Sequence, residues 1–150
     1  MKNLILFIFI FFLSNCGYTT VYNNTSNDNI DIVAFDTYGD SEINNLIKLQ
    51  LANYINTGYE KKISLEITTD YNKTIITKDA TGKASDYQLY AKTNCTIKYN
   101  EKVERISFEE KLNIKNSDNL FELRNYEKKI KDNFAESIKN KLSLKLKTIK

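Results

Sequence analysis

Cys16 is the residue of this chain whose surroundings specify a covalent modification. It follows Leu13, Ser14 and Asn15, which close an unbroken apolar run at residues 4–13 (LILFIFIFFL), and Lys2 supplies positive charge ahead of that run. Charge, apolar stretch and small residues before a cysteine make a secretory signal with a lipoprotein-processing site. A thiol at the first mature position can carry a diacylglycerol as a thioether. Each buried methylene then contributes about 0.8 kcal/mol, and two or more acyl chains anchor stably. As a helix the run would be about 15 Å long against a hydrocarbon core of about 30 Å, too short to span a bilayer. Residues 1–15 are therefore expected to be a lipoprotein signal peptide and 16–29 a lipidated N-terminus and tether, with the membrane reached through acyl chains on Cys16. Asn15 stands where such signals usually place Gly, Ala or Ser. Gly17 stands where Asp would mark inner-membrane retention, which points to the outer membrane, periplasmic side.

Other chemistry is sparse. The chain has no His, so an ordinary general base near neutral pH, a Ser-His pair and a His-ligated metal site are all missing. Ser41, Glu66, Asp79 and Asp86 could in principle act without His, but nothing groups them at catalytic spacing. We expect no enzyme, no cofactor and no metal. Once Cys16 is acylated only Cys95 remains, so no intrachain disulfide is available. Loss of Lys2 with the signal takes the net charge from +3 to +2. That mild excess creates no strong field for nucleic acid, which an exported protein would not meet in any case.

The residues from 30 to 150 are enough for a single domain with its own core. Ile30, Ile32 and, after Val33, Phe35 read as a first strand ending at Tyr38, Gly39 and Asp40. Ile43, Leu46, Ile47, Leu51, Tyr54 and Ile55 then recur at helical spacing. They predict an amphipathic helix of about four turns, capped by Asp40 or Ser41 and closed near Gly58. Ile63, Leu65, Ile67 and Thr69 alternate as a second strand that resumes at residues 74–77 after an irregularity at 70–73. Residues 79–83 form a turn. The clearest strand follows, with Tyr87, Leu89, Ala91, Thr93, Cys95, Ile97 and Tyr99 on one face, which buries Cys95. After a turn at Asn100 and Glu101, Ile106, Phe108, Leu112 and Ile114 alternate again, with Glu110 on the apolar parity; a bulge near Glu109 or an edge position would accommodate it.

Past a break at residues 116–119, Leu123, Tyr126, Ile130, Phe134, Ala135, Ile138, Leu142 and Leu146 mark a second, longer helix. Its polar face is crowded with lysines read as solvated. The order β-α-β-β-β-α gives an α+β fold, a two-layer sandwich of two amphipathic helices on a four-stranded, mostly antiparallel sheet.

Two stretches resemble the lipopolysaccharide-assembly lipoprotein family LptE: CGYTTVY at residues 16–22, and the turn and strand DATGKASDYQLYAKTNCTI at 79–97. The segment FAESIKNKL at 134–142 is similar to that family's last helix. The resemblance implies a non-enzymatic outer-membrane protein. It would plug an LptD-type barrel, act as its assembly partner and contact lipopolysaccharide on its way to the cell surface. It also implies basic residues for lipid A phosphates: Lys78 and Lys83 flank the turn, and Lys128 and Lys129 are placed at the opening of the last helix. Where the family carries a basic residue inside the turn, this chain has Ala80 and Thr81. The alternative is an accessory periplasmic lipoprotein of a lipid-transport ABC system, which shares the tether and element order but has a different partner.

Overall fold

A computed structural model describes residues 29–149; the expected signal peptide at 1–15, Cys16 and all but the last residue of the expected tether at 16–29 lie outside the described residues. Six main elements follow in the expected order: β1 (Ile30–Gly39), α1 (Ser41–Gln50), β2 (Lys61–Lys78), β3 (Ala84–Tyr99), β4 (Lys102–Lys115) and α2 (Leu120–Thr148). They build one four-stranded sheet in the order β1-β2-β3-β4. β1 runs parallel to β2, and the β2–β3 and β3–β4 pairs are antiparallel. A parallel pair needs a crossover, and α1 supplies it. Both helices cover the same face, so the fold is the two-layer α+β sandwich.

The core lies between the layers. Ile63, Leu65 and Ile67 of β2 and Leu89, Cys95 and Ile97 of β3 meet Ile43 and Ile47 of α1 and Ile130, Ile138 and Leu142 of α2. Alternation along β3 places Thr93 on the same inward face, where its hydroxyl meets that of Thr69 at 2.9 Å. This pairing satisfies two buried polar groups with one another.

α1 is shorter than its periodicity predicts. Leu51 N–H turns back to the carbonyls of Ile47 and Lys48 at 3.0 and 3.2 Å, residues 52–54 tighten into a 3₁₀ turn, and Ile55 is extended to bridge Ile32. Tyr54 and Ile55 keep the helical spacing, yet Ile55 is committed to the sheet. The buried carboxylate of Asp31 holds the following segment by accepting from Thr57 N at 2.9 Å and Gly58 N at 3.2 Å.

Two further expectations are corrected, and for Glu110 one of its two alternatives holds. β2 is continuous through residues 70–73, and its register shifts lie between Ile75 and Lys78. β4 keeps an unbroken register with β3, so no bulge accommodates Glu110; the edge position does. There Glu110 accepts from Ser137 Oγ at 2.8 Å and pairs with Lys141 of α2. Tyr126 is half-exposed although Leu123 and Ile130 on either side of it are buried, because at about 100° per residue it falls at the margin of the stripe those two define.

β1 leaves the sheet at Gly39. Its φ of +86° lies in the region that favours glycine, and a Cβ there would run into the Thr69 carbonyl oxygen. Asp40 N–H instead donates to that oxygen at 2.8 Å, while Asp40 Oδ1 caps α1 by accepting from Ile43 N at 2.9 Å. The β1–β2 register thus ends at Gly39 and Thr69. Beyond Thr69, β2 is flanked by β3 on one side and by no strand among the described residues on the other.

Candidate functional site

Two places in this frame concentrate polar chemistry: the far end, where the β2–β3 hairpin turns and α2 begins, and the seam where α1, α2 and β2 meet. At the far end Asp79 organises the turn. Its Oδ1 accepts from Thr81 N at 2.8 Å, Thr81 Oγ1 at 2.6 Å and Lys83 N at 3.0 Å, and the Thr81 hydroxyl leads in holding its carboxyl below the usual carboxylate range. Gly82, at φ +84°, closes the turn by donating to Asp79 O at 3.0 Å. Asn116 N and Nδ2 donate to Ser85 O at 2.7 Å and Ala84 O at 2.8 Å, laying the β4–α2 connection along the start of β3.

The candidate lysines divide. Lys78 lies exposed at the end of β2, in register with Ala84, and Lys83 stands across the turn, ion-paired with Asp118, which raises its pKa. Lys128 and Lys129 are exposed but do not open α2, which starts at Leu120 and is capped by Asn119. Their neighbour Glu127 is fixed over Tyr71 and Lys73. Lys73 precedes Lys78 by five residues, or roughly 17 Å at about 3.3 Å per residue. The structure therefore brings Lys78 and Lys83 to one turn and sets Lys128 and Lys129 well away from it.

Apolar residues at this end escaped the sequence reading. Ile75, Ile76, Leu120 and Phe121 are 50%, 44%, 62% and 72% exposed. The signal was present as the run Thr74, Ile75, Ile76, Thr77 and as Phe121, which falls outside the α2 stripe.

The seam was also missed. Lys131, taken as part of a solvated face, reaches Glu42 at 2.8 Å and Asp40 at 3.2 Å and stands 4.2 Å over the Tyr71 ring. Burial works against its charge, but the two carboxylates outweigh burial and raise its pKa. Tyr71 Oη donates to Glu127 at 2.7 Å; burial, reinforced by that carboxylate, pushes its phenol well above the ordinary value. Lys141 and Lys145 are likewise committed, to Glu110 and Glu104 of β4. The helix lysines fasten α2 as well as solvate it.

The sheet face turned away from the helices is polar. Asp36, Glu66 and Asp70 sit on β1 and β2, while Lys92, Lys98, Arg105 and Lys111 sit on β3 and β4 together with Glu109, which pairs with Lys92 at 3.2 Å, so charges of both signs are spread over the face. Among the described residues no group of His, Cys, Asp and Glu is arranged to hold a metal, and no helix is long and apolar enough to cross a membrane.

The fold recurs in bacterial lipoproteins. It is similar to rare lipoprotein B from Shewanella oneidensis, with TM-score 0.56 and 11% identity, over 75% of this chain and 95% of that one. A minor lipoprotein from Acinetobacter baumannii aligns with TM-score 0.52 and 11% identity, over 75% of this chain and 93% of that one. A putative lipoprotein from Caulobacter crescentus aligns with TM-score 0.50 and 10% identity, over 76% and 88%. At these identities the likeness is one of fold. No family model and no curated protein matches the chain.

Proposed function

We propose that this chain is an outer-membrane lipoprotein of the LptE type, anchored through Cys16. It acts as plug and assembly partner of an LptD-type barrel and contacts lipopolysaccharide in transit to the cell surface. The observation that carries this reading is the fold shared with rare lipoprotein B across 95% of that chain, joined to an export signal ending in cysteine. The polar outer face of the sheet supports it, because the lumen of a large outer-membrane barrel is polar and can hold a plug. The far end supports the ligand class. Lys78 stands near the exposed Ile75 and Ile76 of the same strand, and Leu120 and Phe121 open α2, a mixture that suits an amphipathic lipid bearing phosphates. Lys83 adds charge at the same turn, shared with Asp118, whereas Lys128 and Lys129 lie away from it and would meet the ligand only as a separate contact.

Affinity purification of the tagged full chain from detergent-solubilised envelopes tests the reading. A large β-barrel outer-membrane protein is expected to accompany it. Recovery with inner-membrane transporter subunits, or alone, sinks the proposal.

A further inference from the structure

We propose that the upper half of β2 is a docking edge that receives an extended strand from a partner protein. β1 covers β2 only as far as Thr69, whose carbonyl is already taken by Asp40 N–H. From Asp70 to Ile75 β2 stays in continuous register with β3, so its remaining backbone N–H and C=O groups point outward; the register shift after Ile75 ends the regular edge. Six residues span about 20 Å, the length of an ordinary strand. A row of donors and acceptors at strand spacing is matched by another polypeptide strand, and not by an acyl chain or a sugar.

Among the described residues, no strand, helix or loop pairs with this edge. Edge strands are commonly blunted by charged side chains, proline, bulges or a covering element, and on this segment the exposed Asp70 is the one charge left on the outer face. Here Lys73 is folded back onto the helix layer, 2.7 Å from Glu127 and 4.7 Å over the Tyr87 ring, and the Tyr71 hydroxyl turns to the same carboxylate. Where β1 departs, a cleft lined by Gly39, Asp40, Thr69, Tyr71, Asn72 and Tyr90 opens in line with the missing strand. α1 does not close this half, because it runs back toward the Ile32–Ile55 bridge. The incoming strand meets half-exposed Ile75 on the helix face and Asn72 and Thr74 on the other, so it alternates apolar and polar residues. Asp70 and Lys92 both line the cleft at the lower end of this edge, so the strand is held by its backbone and its apolar-polar alternation and not by net charge.

A second copy of the chain fits poorly. Two identical edges joined by a two-fold axis run antiparallel. That would send the two tethers in opposite directions, against two anchors in one leaflet. The inference rests on the reading above for the partner's identity, which makes the strand part of the barrel protein.

The test is photo-crosslinking in intact cells from benzoylphenylalanine placed at Asn72 or at Thr74 of the full chain, with crosslinked residues mapped by mass spectrometry and barrel copurification measured on the unmodified chain in parallel. Strand addition predicts that the two probes, two residues apart, reach positions two residues apart in one contiguous partner segment. Copurifying barrel with scattered crosslinks or none overturns strand addition and leaves the plug reading intact. The two-residue spacing on a protein other than a barrel upholds the docking edge and removes the barrel partner. Neither copurification nor crosslinks removes both.

Discussion

Lys131 and Asp40 lie 91 residues apart in the chain, yet their side chains meet at 3.2 Å across the junction of α2 with the start of α1. Asp40 uses one carboxylate oxygen to cap α1 and the other to hold Lys131, so one residue ends the β1 segment, begins a helix and receives the second helix. Replacing Lys131 with Met removes the cation while leaving Asp40 and Glu42 without it. A partly buried charge stripped of its partner costs about 1–3 kcal/mol. Denaturant unfolding of Lys131→Met should show a loss in that range; a change below about 0.5 kcal/mol would mean the seam contributes nothing beyond ordinary surface charge.

The same seam predicts a pH dependence. Burial pushes Glu127 upward, but hydrogen bonds from Lys73 and Tyr71 outweigh it and leave its pKa below the usual value of 4.5. A carboxylate depressed in the folded state adds stability that is present above its unfolded pKa and lost as pH falls through the folded one. Acid unfolding of Glu127→Gln should therefore show a shallower loss than the parent as pH falls below the ordinary value of 4.5. Parallel curves would refute the assignment.

Cys95 is 1% exposed on the inward face of β3, and burial raises its thiol to about 12. Almost no thiolate is present at neutral pH, and access is closed as well. Modification by a thiol reagent should be far slower in the folded domain than in denaturant. Equal rates would contradict the register of β3.

Core and turn should fail differently. Phe134→Ala should cost about 3–5 kcal/mol by opening a cavity beneath α2. Changing Lys78 and Lys83 together to Glu should leave the fold nearly intact, since the Lys83–Asp118 pair is largely exposed. The double variant should nevertheless bind less lipopolysaccharide in a filter or pull-down assay. Unchanged binding by a folded double variant would remove this turn as a ligand surface.

Acylation at Cys16 is checked by metabolic labelling with a fatty-acid analogue. The parent chain should be labelled and Cys16→Ala should not. Label that survives the substitution would dismiss the anchor.

Strand parity was the most legible part of the fold. Tyr87 to Tyr99 alternate so strictly that the sequence placed Leu89, Ala91, Thr93, Cys95 and Ile97 inward, where they are found. Helix spacing was less decisive, since Tyr54 and Ile55 keep the period of α1 while Ile55 pairs with Ile32 in the sheet. Long-range pairing left almost no local trace. Glu110 reads as a violation of pattern until Ser137 and Lys141 arrive from α2, and Lys131 reads as a solvated lysine until Asp40 and Glu42 arrive from α1. Nothing in the residues 30–39 announces that they cover only half of β2. The turn lysines Lys78 and Lys83 were placed correctly together, but Lys128 and Lys129 were assigned to a helix start that lies eight residues earlier.

The single parallel pair also sets an order of assembly. β2, β3 and β4 close through turns of five and two residues, whereas Ile30 must find Lys61 from 31 positions away. Closing long loops costs more entropy, and distant pairings are slow to form. The meander should therefore zip first and β1 should dock last. Pulse-labelled hydrogen exchange during refolding would register amides of β2–β4 as protected before those of Ile30–Gly39. If the chain is anchored through Cys16 as proposed above, the strand nearest the anchor would be the last to join the sheet.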